Sequence, residues 1–170
     1  VEDVLAEKEA GNFDAVFLGI GANIGKKNPI NTDKHFPVFD AYHFLRNVSN
    51  GASPAIGKKV LIYGGGKLAM YLSRVVKRMG AEPTIIYNGD RKLMPAYDYE
   101  ADDAIAEGVE ILFLRSLQSI ENNNCTVEIM KVEKNKAVGT GEFETIVADS
   151  LLLALGQEGD TACLNSTTDI

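Results

Sequence analysis

Lys59-Val-Leu-Ile-Tyr-Gly-Gly-Gly-Lys-Leu-Ala-Met70 is the stretch that decides the fold. Val60 to Tyr63 is a short apolar run of the kind that forms a buried strand. It leads without a break into Gly64, Gly66 and Ala69, at G-x-G-x-x-A spacing. A helical pattern opens at once, with Leu68/Ala69, Leu72, Val76 and Met79 recurring every three or four residues and Arg74, Lys77 and Arg78 between them. Each small residue has a physical reason: Gly64 permits a tight turn, Gly66 lets a pyrophosphate approach the backbone, and Ala69 lets the helix lie close on the strand. The helix then presents free N–H groups and its positive dipole end to the phosphates. A glycine triplet alone is weak evidence, but one set between a strand and an amphipathic helix points to a dinucleotide.

Working outward, Gly80 stands where a helix cap is needed, and Pro83-Thr-Ile-Ile-Tyr87 reads as the next strand. That completes β-α-β in about 30 residues, the size of a mononucleotide-binding half. A loop from Asn88 to Ala96 leads to a helix over Asp98–Glu107, stopped by Gly108, and then to a third parallel strand, Val109-Glu-Ile-Leu-Phe113. On the other side, Phe13-Asp-Ala-Val-Phe-Leu18 reads as an apolar strand ending in Gly19-Ile-Gly21. Residues 22–37 read as a loop, and Asp40 as the cap of a helix through Ala41, Phe44, Leu45 and Val48 that ends at Asn50-Gly51. From Ser116 the pattern changes: Thr126–Val132 and Gly141–Val147 alternate apolar and polar residues, as in a hairpin or small antiparallel layer. Leu151-Leu-Leu-Ala-Leu155, running into Gly156-Gln157, is a last buried strand. The expected fold is α/β, a Rossmann-like three-layer domain with a parallel sheet and a small antiparallel β layer.

Bulk properties narrow the function. The 170 residues suit one domain, and 45% hydrophobic with 24% charged residues is ordinary for a soluble protein. A net charge of −7 speaks against nucleic acid as a partner, since a phosphate backbone would be repelled. No apolar run approaches the ~20 residues of a membrane helix, and no secretory leader is visible in the acidic, helix-like start Val1–Ala10. Cys125 and Cys163 form no C-x-x-C, so no dithiol redox centre is expected, and a reduced cytoplasmic pair reads better than a disulfide. His35 and His43 lack metal-site spacing, so no metal is expected. The chain starts without methionine and ends in Leu164-Asn-Ser-Thr-Thr-Asp-Ile170, so it reads as a piece of a longer polypeptide.

Taken in order, these landmarks resemble the flavoprotein reductases with two dinucleotide-binding domains, in particular the glutamate synthase small subunit and its relatives, including the reductase part of dihydropyrimidine dehydrogenase. Gly19-Ile-Gly21 is similar to the turn that leaves the family's FAD domain, and Phe39–Leu45 to the short helix before its nucleotide domain. Gly64 to Met70 is similar to its Gly-Gly-Gly-x-x-Ala-Met fingerprint, Tyr87 and Met94-Pro-Ala96 to its Tyr-Arg-Arg and Met-Pro-Ala, Glu107–Glu110 to its Glu-Gly-Val-Glu, and Leu153–Gln157 to its Ala-x-Gly-Gln return strand. The resemblance implies a division into residues 1–57 leading from an FAD domain, 58–149 binding NAD(P)H, and 150–170 returning to the FAD domain. It implies NADP or NAD as the cofactor here, FAD only in the full-length protein, and a larger catalytic subunit as a further partner. The site residues it marks are Gly64, Gly65, Gly66, Lys67, Leu68, Ala69, Tyr87, Asn88, Arg91, Lys92, Gly21 and Gly156.

Three departures from the pattern matter. The family's two arginines that clamp a 2′-phosphate are Asn88 and Gly89 here; Arg91 and Lys92 lie close enough to replace the charge, while Asp90 opposes it. The family's acidic or asparagine residue after the glycines is Lys67, either a pyrophosphate contact or a solvated side chain. Neither the FAD fingerprint nor the late flavin-gripping Gly-Asp is present, so the hydride acceptor is not encoded here. No side chain is needed as acid or base, because the cofactors carry the chemistry. The alternatives are a non-catalytic NAD(P)-sensing Rossmann module and, with less in its favour, a methyltransferase-like nucleoside site. The flanking Gly19-Ile-Gly21 and Gly156-Gln157 turns favour the reductase reading.

Overall fold

The computed structural model describes residues 2–22, 24–26 and 30–162. The chain divides into two compact units, 1–24 with 157–170, and 25–156. Cys163 lies outside the described residues.

The larger unit is built on five parallel strands. β3 (Val38–Asp40), β4 (Lys59–Tyr63), β5 (Glu82–Tyr87), β6 (Glu110–Phe113) and β10 (Ser150–Leu153) lie in the order β3-β10-β4-β5-β6. Every pairing between them is parallel. Three helices join them: α2 (Ala41–Ser49), α3 (Lys67–Arg78) and α4 (Asp98–Ala106). The second layer against the sheet is antiparallel at its core, with β7 (Arg115–Glu121), β8 (Asn124–Glu133) and β9 (Lys136–Val147) in sequence, and β2 (Asn31–Thr32) added parallel to β7.

Strand β4 explains why the unit has three layers. Val60 and Ile62 pack with Phe44, Met70, Leu72, Val76 and Ala101 on the helical side. Leu61 and Tyr63 pack with Ile86, Leu117, Ile120, Cys125 and Val127 on the antiparallel side. A strand covered on both faces has no polar face, which is why it reads as a continuous apolar run. The expected α/β architecture, a parallel sheet with a small antiparallel layer, is the one observed.

The helix ends follow local rules. Asp40 caps α2, its carboxylate accepting the His43 N–H at 2.9 Å and facing the His43 ring nitrogen Nδ1 at 2.8 Å. α3 closes on Met79 and Gly80: the N–H of Gly80 donates to Lys77 O and that of Ala81 to Val76 O, with Gly80 at φ +89°.

Three expectations need correction. Phe13–Leu18, in the smaller unit after α1 (Glu2–Glu9), forms no strand, and Phe17 is 94% exposed. An apolar run becomes a strand only where a neighbour supplies a ladder. Residues 22–37 are not wholly loop, since they carry β1 (Ile24–Gly25) and β2. The antiparallel layer has a further long strand, β7, beyond the expected hairpin. Among the described residues the last strand is β11 (Gln157–Glu158), and no helix is long and apolar enough to cross a membrane.

The starts of β4 and β10 are tied together by Asp149, whose Oδ2 accepts the Lys59 N–H at 2.8 Å and the Lys58 N–H at 2.7 Å. The Lys59 hydrogen bond, then that of Lys58, holds this carboxyl below its ordinary pKa. A depressed carboxyl stabilises the fold above its unfolded pKa, about 4, and that contribution is lost as pH falls through the folded value. Asp149→Asn should therefore lower the urea midpoint at neutral pH, with the gap from the wild type closing below about pH 4. A gap of constant size from pH 7 to about pH 3 would show that the carboxylate charge is not what ties the strands.

Candidate functional site

The glycine turn sits at the carboxyl end of β4. β5 lies on one side of β4, reached through α3, and β10 lies on the other. In open α/β sheets the crevice outside the strand ends, where chain connections diverge, is where ligands bind. A cleft of about 290 Å³ occupies this place, lined by Tyr63, Gly64, Gly65, Gly66, Tyr87, Asn88, Pro95 and residues Ala154 to Gly156.

The three glycines do different jobs. Gly64 has φ +144°, and a Cβ there would stand 2.3 Å from the carbonyl oxygen of Ala154. A Cβ on Gly65 would meet the Tyr87 ring at 2.5 Å. A Cβ on Gly66 would meet nothing within 4 Å, so this is the one of the three that faces open space. Gly66 is also the N-cap of α3 and makes no side-chain cap hydrogen bond. Among the described residues the N–H groups of Gly66, Lys67 and Leu68 find no protein acceptor. The helix therefore opens on unpaired donors, with its positive dipole end toward the cleft. Ala69, fully buried, lets α3 lie against the sheet, and Leu68 packs partly into the same helical-side core.

The loop after β5 is pinned over this turn. The Tyr87 hydroxyl donates to Leu93 O at 2.7 Å, the Asp90 carboxylate accepts the Leu93 N–H at 3.0 Å, and the Ala96 N–H donates to Gly65 O at 3.0 Å. Burial, then the charge of Asp90, raises the Tyr87 pKa, which keeps the phenol a donor. Tyr87 thus acts as a strut for residues 88–96, its hydroxyl already engaged.

Of the twelve residues marked by the sequence, Gly64, Gly65, Gly66, Tyr87, Asn88 and Gly156 line the cleft together. Arg91 and Lys92 line a neighbouring hollow of about 490 Å³ with Met94, Ala96, Tyr97 and Asp98. The ammonium of Lys67 lies 3.9 Å from the centroid of the half-exposed Tyr97 ring; Lys67 is itself exposed and is not among the residues that line the cleft. Gly21 belongs to the other compact unit, at φ +71°. Tyr63, Pro95, Ala154 and Leu155 line the cleft without having been marked. Tyr63 ends β4 and Ala154–Leu155 follow β10, so strand-end position was the signal available for them.

Another hollow, of about 450 Å³, opens at the amino ends of the same strands, lined by residues such as Lys59, Pro83, Thr84 and Glu110. It is larger than the cleft, but its wall carries mixed charge, and it lies at the end of the sheet that doubly wound folds do not use for ligands. Cys125 is buried, and that burial pushes its thiol up to about 11, so it is inert toward thiol chemistry.

Comparison with known proteins gives the family and the fold. The chain is 34% identical over 178 residues to the NADPH-Fe(3+) oxidoreductase subunit beta of Geobacter sulfurreducens, covering 94% of this chain and 26% of that one. It is 33% identical over 163 residues to the glutamate synthase [NADPH] small chain of Azospirillum brasilense, covering 88% of this chain and 33% of that one. The chain thus spans about a quarter to a third of these relatives. The crystal structure of Lactococcus lactis thioredoxin reductase superposes with a TM-score of 0.67 over 87% of this chain and 46% of that one, at 18% identity, a likeness of fold. The pattern of one oxidoreductase family matches from residue 1 to residue 169, and the chain belongs to that family, the pyridine nucleotide-disulphide oxidoreductases.

Proposed function

We propose that this chain is the NAD(P)H-binding part of an FAD-dependent oxidoreductase of the glutamate synthase small-subunit kind, positioning a nicotinamide ring for hydride transfer to flavin. The observation that carries this is the open space at Gly66, at the head of an uncapped helix beside the β4–β10 switch point. A pyrophosphate has room to approach because nothing lies within 4 Å of a Cβ placed on Gly66, and among the described residues the N–H groups of Gly66, Lys67 and Leu68 have no protein acceptor. In this reading the backbone of residues 64–68 grips the pyrophosphate, and Asn88 offers its side-chain amide to the ribose hydroxyls. Residues Ala154 to Gly156 close the β10 side of the cleft. Gly21 marks the passage from the flavin domain. The nicotinamide supplies the hydride, and the chain supplies orientation.

The wider assignments are proposals of the same kind. Residues 58–149 bind the dinucleotide, and residues 1–57 and 150–170 connect to a flavin domain elsewhere in the polypeptide. A larger subunit receives the electrons, in keeping with relatives named as a beta subunit and a small chain. The cytoplasm is the compartment that suits a thiol left reduced.

Titration with NADH and NADPH, read by nicotinamide fluorescence and by amide hydrogen exchange, tests the site. Binding should protect amides of residues 64–70, in a colourless protein that transfers no hydride by itself. Protection centred instead on Lys59, Thr84 and Glu110 would move the site to the opposite end of the sheet. A yellow protein with bound flavin would overturn the proposed division of the chain.

A further inference from the structure

Arg91 follows closely on the end of β5, where a doubly wound fold brings the adenosine ribose, yet its guanidinium is already taken. Its Nε donates to Asp98 Oδ1 at 3.1 Å, and its Nη2 to Asp102 Oδ1 at 2.6 Å and to the Asp98 carbonyl oxygen at 3.3 Å. Asp98 and Asp102 are four residues apart on α4, so they share one face and grip the fork from two points. Asp90 caps the 3-10 turn of residues Arg91–Leu93 and so fixes where Arg91 leaves the chain. Lys92 has no ion-pair partner among the described residues.

Resting on the nucleotide site proposed above, we infer that Asp98 and Asp102 are specificity-determining residues: they hold Arg91 on α4 and deny it to a 2′-phosphate, so the site takes NAD at least as well as NADP. The two acids work twice. They occupy the guanidinium that a 2′-phosphate needs, and their own charges oppose that phosphate if the guanidinium swings away. Both carboxylates are exposed, Asp98 by 81% and Asp102 by 64%, so solvent and salt screen the effect. Its size should be about ten-fold in affinity rather than a thousand-fold.

The test is the NADPH-to-NADH affinity ratio of the 170-residue chain, with far-UV circular dichroism to confirm folding. Asp98→Asn/Asp102→Asn, isosteric and at the surface, should improve NADPH binding about ten-fold and leave NADH binding within about two-fold. Asp102→Asn alone keeps the acid at the start of α4 and should give part of that gain. Adding Arg91→Ala to the double variant should remove most of it, because the larger share of the gain needs the released guanidinium and only the relief of the two acids' own repulsion remains. A ratio unmoved by the double variant overturns the inference, and so does a gain that Arg91→Ala leaves undiminished. Failure of the wild type to bind either nucleotide is a different result: it removes the site itself, and the inference with it.

Discussion

Gly66→Val should abolish dinucleotide binding in a protein that stays folded. Gly66 has φ −90° and ψ 175°, an extended conformation open to any residue, and a Cβ there meets nothing within 4 Å. The fold therefore has no reason to object. As an N-cap, glycine gives no side-chain hydrogen bond to lose, so the stability change should stay within about 1 kcal/mol. The ligand has every reason to object, because valine's branched methyls fill the space where a pyrophosphate approaches and cover the N–H groups that would hold it. The affinity should fall on the order of a hundred-fold or more, about 2.7 kcal/mol. Fluorescence titration beside a urea melt checks both halves. Unchanged affinity in folded Gly66→Val would mean that the nucleotide does not sit on this turn.

What the sequence made legible follows from how local each cause is. β4 could be read because both its faces are covered, α3 because its apolar residues recur at helical spacing, and the ends of the helices because glycine meets a local backbone demand. β7 could not, because a register shift between Leu117 and Ser119 puts its buried residues, Leu117 and Ile120, three apart and breaks the period of two. β3 is three residues long, too short to show any period. Phe13–Leu18 has the composition of a strand, but pairing depends on a neighbour that composition does not name. The cleft was legible wherever glycine spacing reports backbone shape. The commitments of Tyr87, Lys67 and Arg91 were not. Each depends on how the loop of residues 88–98 folds back, which sets Leu93 O under the Tyr87 hydroxyl, Tyr97 under Lys67, and Asp98 and Asp102 beside Arg91.

Gly64→Ala should do the reverse of Gly66→Val and cost the fold. Gly64 has φ +144°, where side chains are strained whatever the space around them, and an added methyl would lie 2.3 Å from Ala154 O and 2.9 Å from its carbonyl carbon. Those atoms are backbone and cannot swing aside. The Ala154 N–H donates to Tyr63 O at 2.9 Å, and the Gly64 N–H donates to Ile86 O at 3.1 Å. β10 is itself paired to β4 over Ser150–Leu153 and to β3 over Leu151–Leu153, so moving Ala154 disturbs the sheet on both sides of β10. Backbone strain of about 1–3 kcal/mol joins an overpacking cost of similar size, about 1–3 kcal/mol. Together they approach the 5 kcal/mol or so at the lower end of typical domain stability. The expected result is a large drop in urea midpoint, or a chain that does not fold at all, while Gly66→Ala melts like the wild type. Equal midpoints for Gly64→Ala and wild type would mean that β10 and the glycine turn do not meet as closely as this backbone has them. Two glycines with a single residue between them would then no longer divide the work, the first holding the central strands together and the second keeping the cleft clear for phosphate.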